Sequence, residues 1–319
     1  MNEIPYCPPF LLGNGHVQTI LPVMYRSIHG VTYTRERIST WDDDFLDLDW
    51  SRTGSDRLAV ISHGLEGNTC RAYVKGMVRA VNHAGWDALA WNYRGCSGEP
   101  NRQLRSYHNG ATDDLAWVID HAAASRPYEQ IALIGFSLGG NLTLVHLGRD
   151  TVHPKVTKAV VFSVPCDLEA SARELARPVN TIYMRRFLKL LHHKINEKNN
   201  LLHHPVLDDT GFEKIRDFKG FDDRYTAPIH GFKNAEDYWH SCSSLQFIPS
   251  IRHPCLIINA VNDPFLPKEC FPVAQAEKNR HVTLQMPASG GHVGFIAFNP
   301  SGFYWSEMQA AALLKKNHF

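Results

Sequence analysis

Ser137 has the surroundings most typical of a nucleophile. It lies at the centre of a G-x-S-x-G segment, residues 135–139, which follows the apolar run Ile131–Ile134 and precedes an amphipathic helical pattern. A serine on a sharp turn between a strand and a helix exposes its hydroxyl, and flanking glycines are needed because side chains there would collide with neighbouring elements. A plain glycine-rich turn is the alternative interpretation. The segment therefore predicts that Ser137 attacks an electrophilic carbon.

A predicted acid and a predicted base follow Ser137 along the chain. A serine hydroxyl is a poor nucleophile until a base takes its proton. His292 is the predicted base, because it lies among glycines in a loop directly after the last predicted strand. Asp263 follows the apolar run LIINA, and we predict that its carboxylate orients the imidazole. The order serine, aspartate, histidine is typical of nucleophiles on such a turn. His16, which precedes the predicted sheet, is the alternative base, and Asp167 is the alternative acid.

Two backbone N–H groups are predicted to bind the oxyanion that forms when a serine attacks a carbonyl carbon. Leu138 begins the predicted helix, and unpaired N–H groups at a helix N-terminus favour negative charge. Leu65 lies in the segment HGLEG, after the predicted strand Leu58–Ser62, where the glycines let the backbone approach a substrate. By itself HGLEG would be interpreted as a plain turn. Together with the Ser137 turn, it predicts an oxyanion hole made by Leu65 and Leu138.

Alternating strand and helix signals surround these residues and predict an α/β fold with a mostly parallel sheet and helices on both faces. Val31–Ile38 and Phe45–Trp50 alternate apolar and polar residues, which is typical of half-buried antiparallel strands. Helices are predicted at about Thr69–Ala84 and Gly302–Leu314. Short apolar runs predict buried strands at Leu58–Ser62, Ala88–Asn92, Ile131–Ile134, Ala159–Val164, Cys255–Ala260 and Val282–Met286.

One domain is predicted over residues 1–319, with two additions to the sheet and its helices. Residues 1–30 are rich in Pro and Gly, and their apolar residues show no regular spacing. We therefore expect an ordered extended arm on the body of the protein. Residues 166–250 are helical in character, and about 85 residues between two successive strands is too long for a simple crossover. This stretch predicts a helical cap inserted over the end of the sheet.

Composition excludes several classes of function. The 33 Lys and Arg balance 32 Asp and Glu, so no nucleic-acid partner is expected. The seven Cys are scattered and include no C-x-x-C pair, which favours reduced thiols over a disulfide framework. The N-terminus lacks the pattern of a signal peptide, and no apolar run is long enough to span a bilayer. We therefore expect a cytoplasmic protein.

Three other features could suggest chemistry but have simpler interpretations. Cys96 lacks the strand–helix turn of a nucleophile, so packing is favoured. The pairs His192-His193 and His203-His204 have no acidic or Cys partner at ligand spacing, so no metal site is predicted. Residues 173–198 carry seven Arg or Lys against two Glu and have one apolar face. Such a helix could rest on anionic lipid, but packing on its own domain is favoured.

Six motifs together resemble a known family. LLGNGHVQTILP, HGLEGN, NYRGCSGEPN, GFSLGGN, NAVNDPF and GGHVGF occur in this order, from about Pro8 to the end of the chain. This set resembles the YheT-like branch of the α/β hydrolases. The resemblance implies the α/β-hydrolase fold and a Ser-Asp-His triad, which corresponds to Ser137, Asp263 and His292. Each of the three triad positions holds the residue type that the family pattern requires.

The resemblance also implies acyl-transfer chemistry, because the family includes carboxylesterases, lipid hydrolases and enzymes that transfer medium-chain acyl groups to alcohols. We expect hydrolysis of a small-molecule or lipid-like carboxylic ester with a short or medium acyl chain, and no cofactor. The alternatives are acyl transfer onto an alcohol and a binding protein that keeps the fold without turnover.

Overall fold

A single twisted sheet forms the centre of the protein in the computed structural model, which describes residues 5–202 and 207–315. In these residues the sheet has eight strands in the order β1-β2-β4-β3-β5-β6-β7-β8. The strands are β1 (Thr34–Ser39), β2 (Phe45–Ser51), β3 (Arg57–Ser62), β4 (Asp87–Asn92), β5 (Gln130–Phe136), β6 (Val156–Phe162), β7 (Cys255–Ile258) and β8 (Val282–Gln285). β2 pairs antiparallel with β1 and with β4, and the remaining pairs are parallel. The predicted mostly parallel sheet with antiparallel N-terminal strands is therefore confirmed.

Helices cover both faces of the sheet. Successive strand residues point to opposite sides, and apolar residues on each side are buried against helices. Val60 and Ile131 pack in the cluster with the helices Thr112–Ser125 and Leu138–Arg149. Ile61 and Ala132 pack in the cluster with the helices Ala72–His83 and Trp305–Leu314. The helices are α1 (Gly15–Tyr25), α2 (Ala72–His83), α3 (Thr112–Ser125), α4 (Leu138–Arg149), α5 (Leu168–Leu175), α6 (Thr181–Leu201), α7 (Phe218–Phe221), α8 (Ala227–His230), α9 (Ala235–Cys242), α10 (Val273–Glu277) and α11 (Trp305–Leu314).

The prediction of an extended arm over residues 1–30 is wrong where α1 forms. The side chain of Asn14 accepts hydrogen bonds from the N–H groups of His16 and Val17, at 2.9 and 3.2 Å. An asparagine in this position satisfies donors at the start of a helix that would otherwise have no partner. Asn14 therefore marks the start of the helix, a signal that Pro and Gly content does not reveal.

Residues 166–250 form helices α5 to α9, between β6 and β7, in the part of this stretch that the structure describes. The apolar face of α6 turns towards the interior of the chain, where Leu188 and Ile195 are buried and Phe187 and Leu191 are half-buried. The apolar face within residues 173–198 therefore packs on its own chain. No helix in residues 5–202 and 207–315 is both long enough and apolar enough to cross a lipid bilayer.

A buried arginine joins the loop after β4 to the β1–β2 connection and to α3. The Arg94 side chain is fully buried, and its Nη1 lies 2.9 Å from Asp42 Oδ2 and 3.0 Å from Asp44 Oδ2. Its Nη2 lies 2.8 Å from Asp114 Oδ1. Asn101 Nδ2 donates to Asp44 at 2.6 Å and thereby fixes the next part of the same loop. This cluster holds the segment that borders the cavity described below.

Replacing Arg94 with Met is expected to lower the free energy of unfolding by about 3–5 kcal/mol, because buried carboxylates lose their charge partner. Urea denaturation followed by circular dichroism measures this loss. Arg173→Met is the matched control, since Arg173 makes an exposed ion pair with Glu169 at 2.9 Å, and its loss should stay within about 0.5 kcal/mol. Equal, small losses in both variants would contradict the structural role of the Arg94 cluster.

Candidate active site

Ser137 occupies a strained turn at the carboxyl end of the central strand β5, directly before α4. Its backbone has φ 51° and ψ −116°, a conformation that non-glycine residues rarely adopt. Its N–H donates to the carbonyl oxygen of Phe162 in β6, at 2.9 Å. A Cβ atom on Gly135 would overlap the backbone of Gly139, and one on Gly139 would overlap the carbonyl oxygen of Ser62. The flanking residues must therefore be glycine for this turn to form.

The side chains of Ser137, His292 and Asp263 form a hydrogen-bonded row. His292 Nε2 lies 2.9 Å from Ser137 Oγ, and His292 Nδ1 lies 2.9 and 3.1 Å from the carboxylate oxygens of Asp263. A carboxylate only accepts hydrogen bonds, so Nδ1 carries the proton and Nε2 accepts from the serine hydroxyl. The structure thus brings the three residues singled out from the sequence together, in the order that proton transfer from the serine requires.

Burial and packing fix the geometry of the row. The Asp263 side chain is fully buried, whereas 11% of the His292 side chain is exposed. One Asp263 oxygen also accepts the N–H of Phe265, at 2.9 Å. The Phe265 ring packs against the imidazole, with ring centroids 4.1 Å apart. The carboxylate is therefore held in place before any substrate arrives, and the imidazole has little freedom to rotate.

Two backbone N–H groups near the serine have no acceptor among the described residues. Leu138 is the first residue of α4, and Leu65 lies in the loop after β3. This loop approaches closely, since a Cβ atom on Gly64 would lie 3.3 Å from Ser137 Cβ. The neighbouring N–H of Glu66 is occupied by a hydrogen bond to a tyrosine hydroxyl. Neither Leu65 nor Leu138 donates its N–H to an acceptor within residues 5–202 and 207–315. Both groups are free to bind an anion.

The alternative candidates have other roles. His16 Nδ1 lies 3.0 Å from the hydroxyl of Tyr183 and is not part of the hydrogen-bonded row. Asp167 caps α5 with its side chain. Cys96 is buried next to the ammonium of Lys194, and burial raises the pKa of the Cys96 thiol to about 11. At neutral pH this thiol stays protonated, and a protonated thiol is a poor nucleophile.

A polar cluster beside the Leu65 loop was not anticipated from the sequence. Glu66 Oε1 accepts from the Tyr107 hydroxyl at 2.6 Å and lies 3.1 Å from Lys194 Nζ. Lys194 belongs to α6, so this ion pair ties the inserted helices to the loop that carries Leu65. The HGLEG segment pointed to the loop, but no local pattern pairs Glu66 with residues so distant in the chain.

A cavity of about 1300 Å³, its open mouth included, reaches the serine and the imidazole. Charged groups from Glu66, Lys194 and Lys198 line one part of it. The remaining wall is mainly apolar and includes Leu168, Leu175, Phe187, Leu191, Phe218 and Phe221. The row is thus accessible to a molecule that combines an apolar part with a polar part.

No group of three or more potential metal ligands occurs in the described part of the chain. His192 Nε2 pairs with Asp209 at 2.8 Å, and the His192 ring stacks on Phe212. The pair His203-His204 lies outside the described residues.

Sequence comparison identifies relatives across most of the chain. Residues 54–270 match the family model described as serine aminopeptidase, S33. The chain is 36% identical to the Escherichia coli protein named "Putative esterase YheT" over 291 residues, which cover 89% of this chain and 84% of the relative. It is 28% identical to mouse phospholipase ABHD3, over 91% of this chain and 73% of that protein. It is 30% identical to a monoacylglycerol lipase of Saccharomyces cerevisiae, over 82% of this chain and 59% of that protein.

Solved structures share the fold at low identity. The esterase Pf2001 of Pyrococcus furiosus superposes with a TM-score of 0.60 at 17% identity, over 89% of this chain and 90% of that chain. Mouse α/β-hydrolase domain-containing protein 10 superposes with a TM-score of 0.57 at 15% identity, over 88% of this chain and 98% of that chain. The sequence relatives, the family model and the sheet agree. The chain therefore belongs to the α/β-hydrolase family, in the branch that contains YheT.

Proposed function

We propose that this protein is a serine hydrolase that cleaves carboxylic esters through an acyl-enzyme on Ser137. The observation that carries the proposal is the row in which Ser137 Oγ lies 2.9 Å from His292 Nε2, while the other ring nitrogen binds the buried Asp263 carboxylate. Relatives named as an esterase and as lipases support an ester as the substrate.

In the first half of the reaction, Ser137 Oγ attacks the ester carbonyl carbon while His292 Nε2 takes the serine proton. Asp263 keeps the imidazole in the productive tautomer and stabilises the imidazolium that forms. The carbonyl oxygen becomes an oxyanion, to which the N–H groups of Leu65 and Leu138 donate. Each donor of this kind is worth about 3 kcal/mol of transition-state stabilisation. His292 then protonates the departing alcohol, and the acyl group remains on the serine.

In the second half, water takes the place of the alcohol. His292 Nε2 accepts a proton from the water, the resulting hydroxide attacks the acyl carbonyl, and the same two N–H groups bind the second oxyanion. The proton returns to Ser137 Oγ, and the carboxylic acid leaves. The chain's own side chains and backbone supply the nucleophile, the base and the electrophilic donors, so the proposed reaction needs no cofactor.

We propose that residues 166–250 act as the cap that binds the acyl chain. Phe187, Leu191, Lys194 and Lys198 of α6 line the cavity at spacings of three and four residues, which places them on one face of the helix. Phe187 packs against Phe265, which in turn packs on the imidazole, whereas Lys194 pairs with Glu66 in the Leu65 loop. This arrangement favours an amphiphilic ester whose short or medium acyl chain packs against the apolar wall.

Replacing Ser137 with Ala should abolish turnover of nitrophenyl butyrate, with kcat reduced by about 10⁴-fold or more, because the nucleophile is lost. The thermal midpoint should remain close to that of the unmodified protein, since alanine fits the same turn. Ser125→Ala is the control, because this serine is exposed at the end of α3 and its hydroxyl donates to the carbonyl oxygen of Ala122, within the same helix. A Ser137→Ala protein with more than about a tenth of the activity would refute the assigned nucleophile.

Replacing Leu191 with Trp should shift the preferred acyl chain to shorter lengths, because the larger ring fills the apolar part of the cavity. We expect kcat/KM for nitrophenyl laurate to fall at least about tenfold more than kcat/KM for the acetate. Lys189→Trp, on the exposed side of the same helix, should leave the chain-length profile unchanged. A Leu191→Trp profile identical to that of the unmodified protein would place the acyl chain elsewhere.

A further inference from the structure

The loop that carries His292 is held by side-chain oxygens at three consecutive residues. The bonds run from Gly291 N–H to Asn262 Oδ1 at 3.0 Å, from His292 N–H to Thr19 Oγ1 at 2.9 Å, and from Val293 N–H to Ser163 Oγ at 2.9 Å. The acceptors come from the loop after β7, from α1 and from the turn after β6. Separate parts of the chain therefore converge on one short stretch of backbone.

This stretch needs external support because its own conformation is unfavourable. Val293 has φ 61° and Phe295 has φ 44°, both in the left-handed region. A β-branched valine is rarely found there, and such residues persist only where the surrounding structure determines them. The position of the His292 backbone, and hence of its ring, therefore depends on the hydrogen bonds that the loop makes with its neighbours.

Thr19 is the acceptor closest to the chemistry, since it binds the backbone of His292 itself. The Thr19 hydroxyl donates to the carbonyl oxygen of Gly15, one turn earlier in α1, at 2.7 Å. This bond uses the hydroxyl proton, so a lone pair of Oγ1 is left to accept the His292 N–H. The Thr19 side chain is buried. A buried acceptor of fixed orientation restricts where the N–H, and the residue that carries it, can lie.

α1 lies directly against the loop. A Cβ atom on Gly291 would overlap the carbonyl oxygen of Gly15, and one on Gly294 would overlap the carbonyl oxygen of Gln18. Gln18 is fully buried, and its Oε1 accepts the N–H of Ile296 at 3.3 Å. The glycines of the GGHVG segment thus allow contact between the helix backbone and the loop backbone, so a displacement of α1 would displace the loop.

We propose that α1 belongs to the catalytic apparatus of this hydrolase and that Thr19 is a positioning residue for the His292 imidazole. The inference rests on the proposed function, because it assumes that His292 is the base. Thr19 makes no hydrogen bond with Ser137 or Asp263 in the described residues. It acts through the backbone of His292, and it maintains the 2.9 Å distance between His292 Nε2 and Ser137 Oγ.

The Thr19→Val variant tests this role, because valine has nearly the same shape but accepts no hydrogen bond. We expect kcat for nitrophenyl butyrate to fall at least about tenfold with KM unchanged, since a small misplacement of a catalytic group slows the chemical steps and leaves binding intact. Thr19→Ser, which retains the hydroxyl, should restore kcat to within about threefold of the unmodified protein.

Thr143→Val is the matched control. Thr143 is also buried, and its hydroxyl donates to the carbonyl oxygen of Gly139 one turn earlier, at 2.7 Å. Its Oγ1 accepts no N–H from the residues that the structure describes. Thr143→Val therefore removes the same kind of helix bond without affecting His292, and its kcat should stay within about twofold of the unmodified protein.

The outcomes separate this proposal from the proposed function. An active Ser137→Ala protein in the same assay would overturn the proposed function itself. An inactive Ser137→Ala protein beside a fully active Thr19→Val protein would overturn only the positioning role. Equal losses in Thr19→Val and Thr143→Val, or no rescue by Thr19→Ser, would also overturn it. If Thr19→Val does not fold, Thr19→Ala removes the same acceptor without a new methyl group. Failure of both to fold would assign Thr19 a purely structural role and overturn the proposal.

Discussion

The hydrogen bond between Ser137 Oγ and His292 Nε2 joins residues 155 positions apart in the chain, at a distance of 2.9 Å. Because proton transfer depends on such a distance, the loops that follow β5, β7 and β8 must all begin at the same edge of the sheet. Parallel strands achieve this, since their carboxyl ends lie together. The glycines around Ser137 let β5 turn into α4 without collision. Much of the architecture near the site thus keeps one nitrogen atom, His292 Nε2, in contact with one oxygen atom, Ser137 Oγ.

Burial of polar groups gives the site its rigidity. Asp263 is removed from water but keeps its hydrogen bonds to the imidazole and to the N–H of Phe265, so burial leaves its oxygens satisfied. The N–H groups of Leu65 and Leu138 have no such partner in the described residues, and both residues line the cavity. A folded protein rarely leaves donors unpaired near its interior, and this contrast supports the proposal that a substrate oxygen binds between them.

Local patterns predicted the parts of the structure that depend on neighbours in the chain. The strand–glycine–serine–glycine–helix pattern predicted the turn at Ser137, and the order of motifs predicted which aspartate and histidine would meet it. Contacts between distant segments left no such pattern. Thr19 and His292 are 273 positions apart, and neither segment indicates the other. The prediction of an extended arm was wrong at α1 because composition outweighed the helix-capping signal of Asn14.

Labelling with a fluorophosphonate, followed by mass spectrometry of the peptides, tests directly whether Ser137 is the activated nucleophile. The reagent phosphonylates a serine whose hydroxyl is activated by a base and releases fluoride, so it reports nucleophilicity without requiring the natural substrate. We expect one adduct, on the peptide that contains Ser137, and loss of that adduct when His292 is replaced by Ala. An adduct on a different residue, or no adduct on the folded protein, would contradict the assignment of Ser137 as the nucleophile.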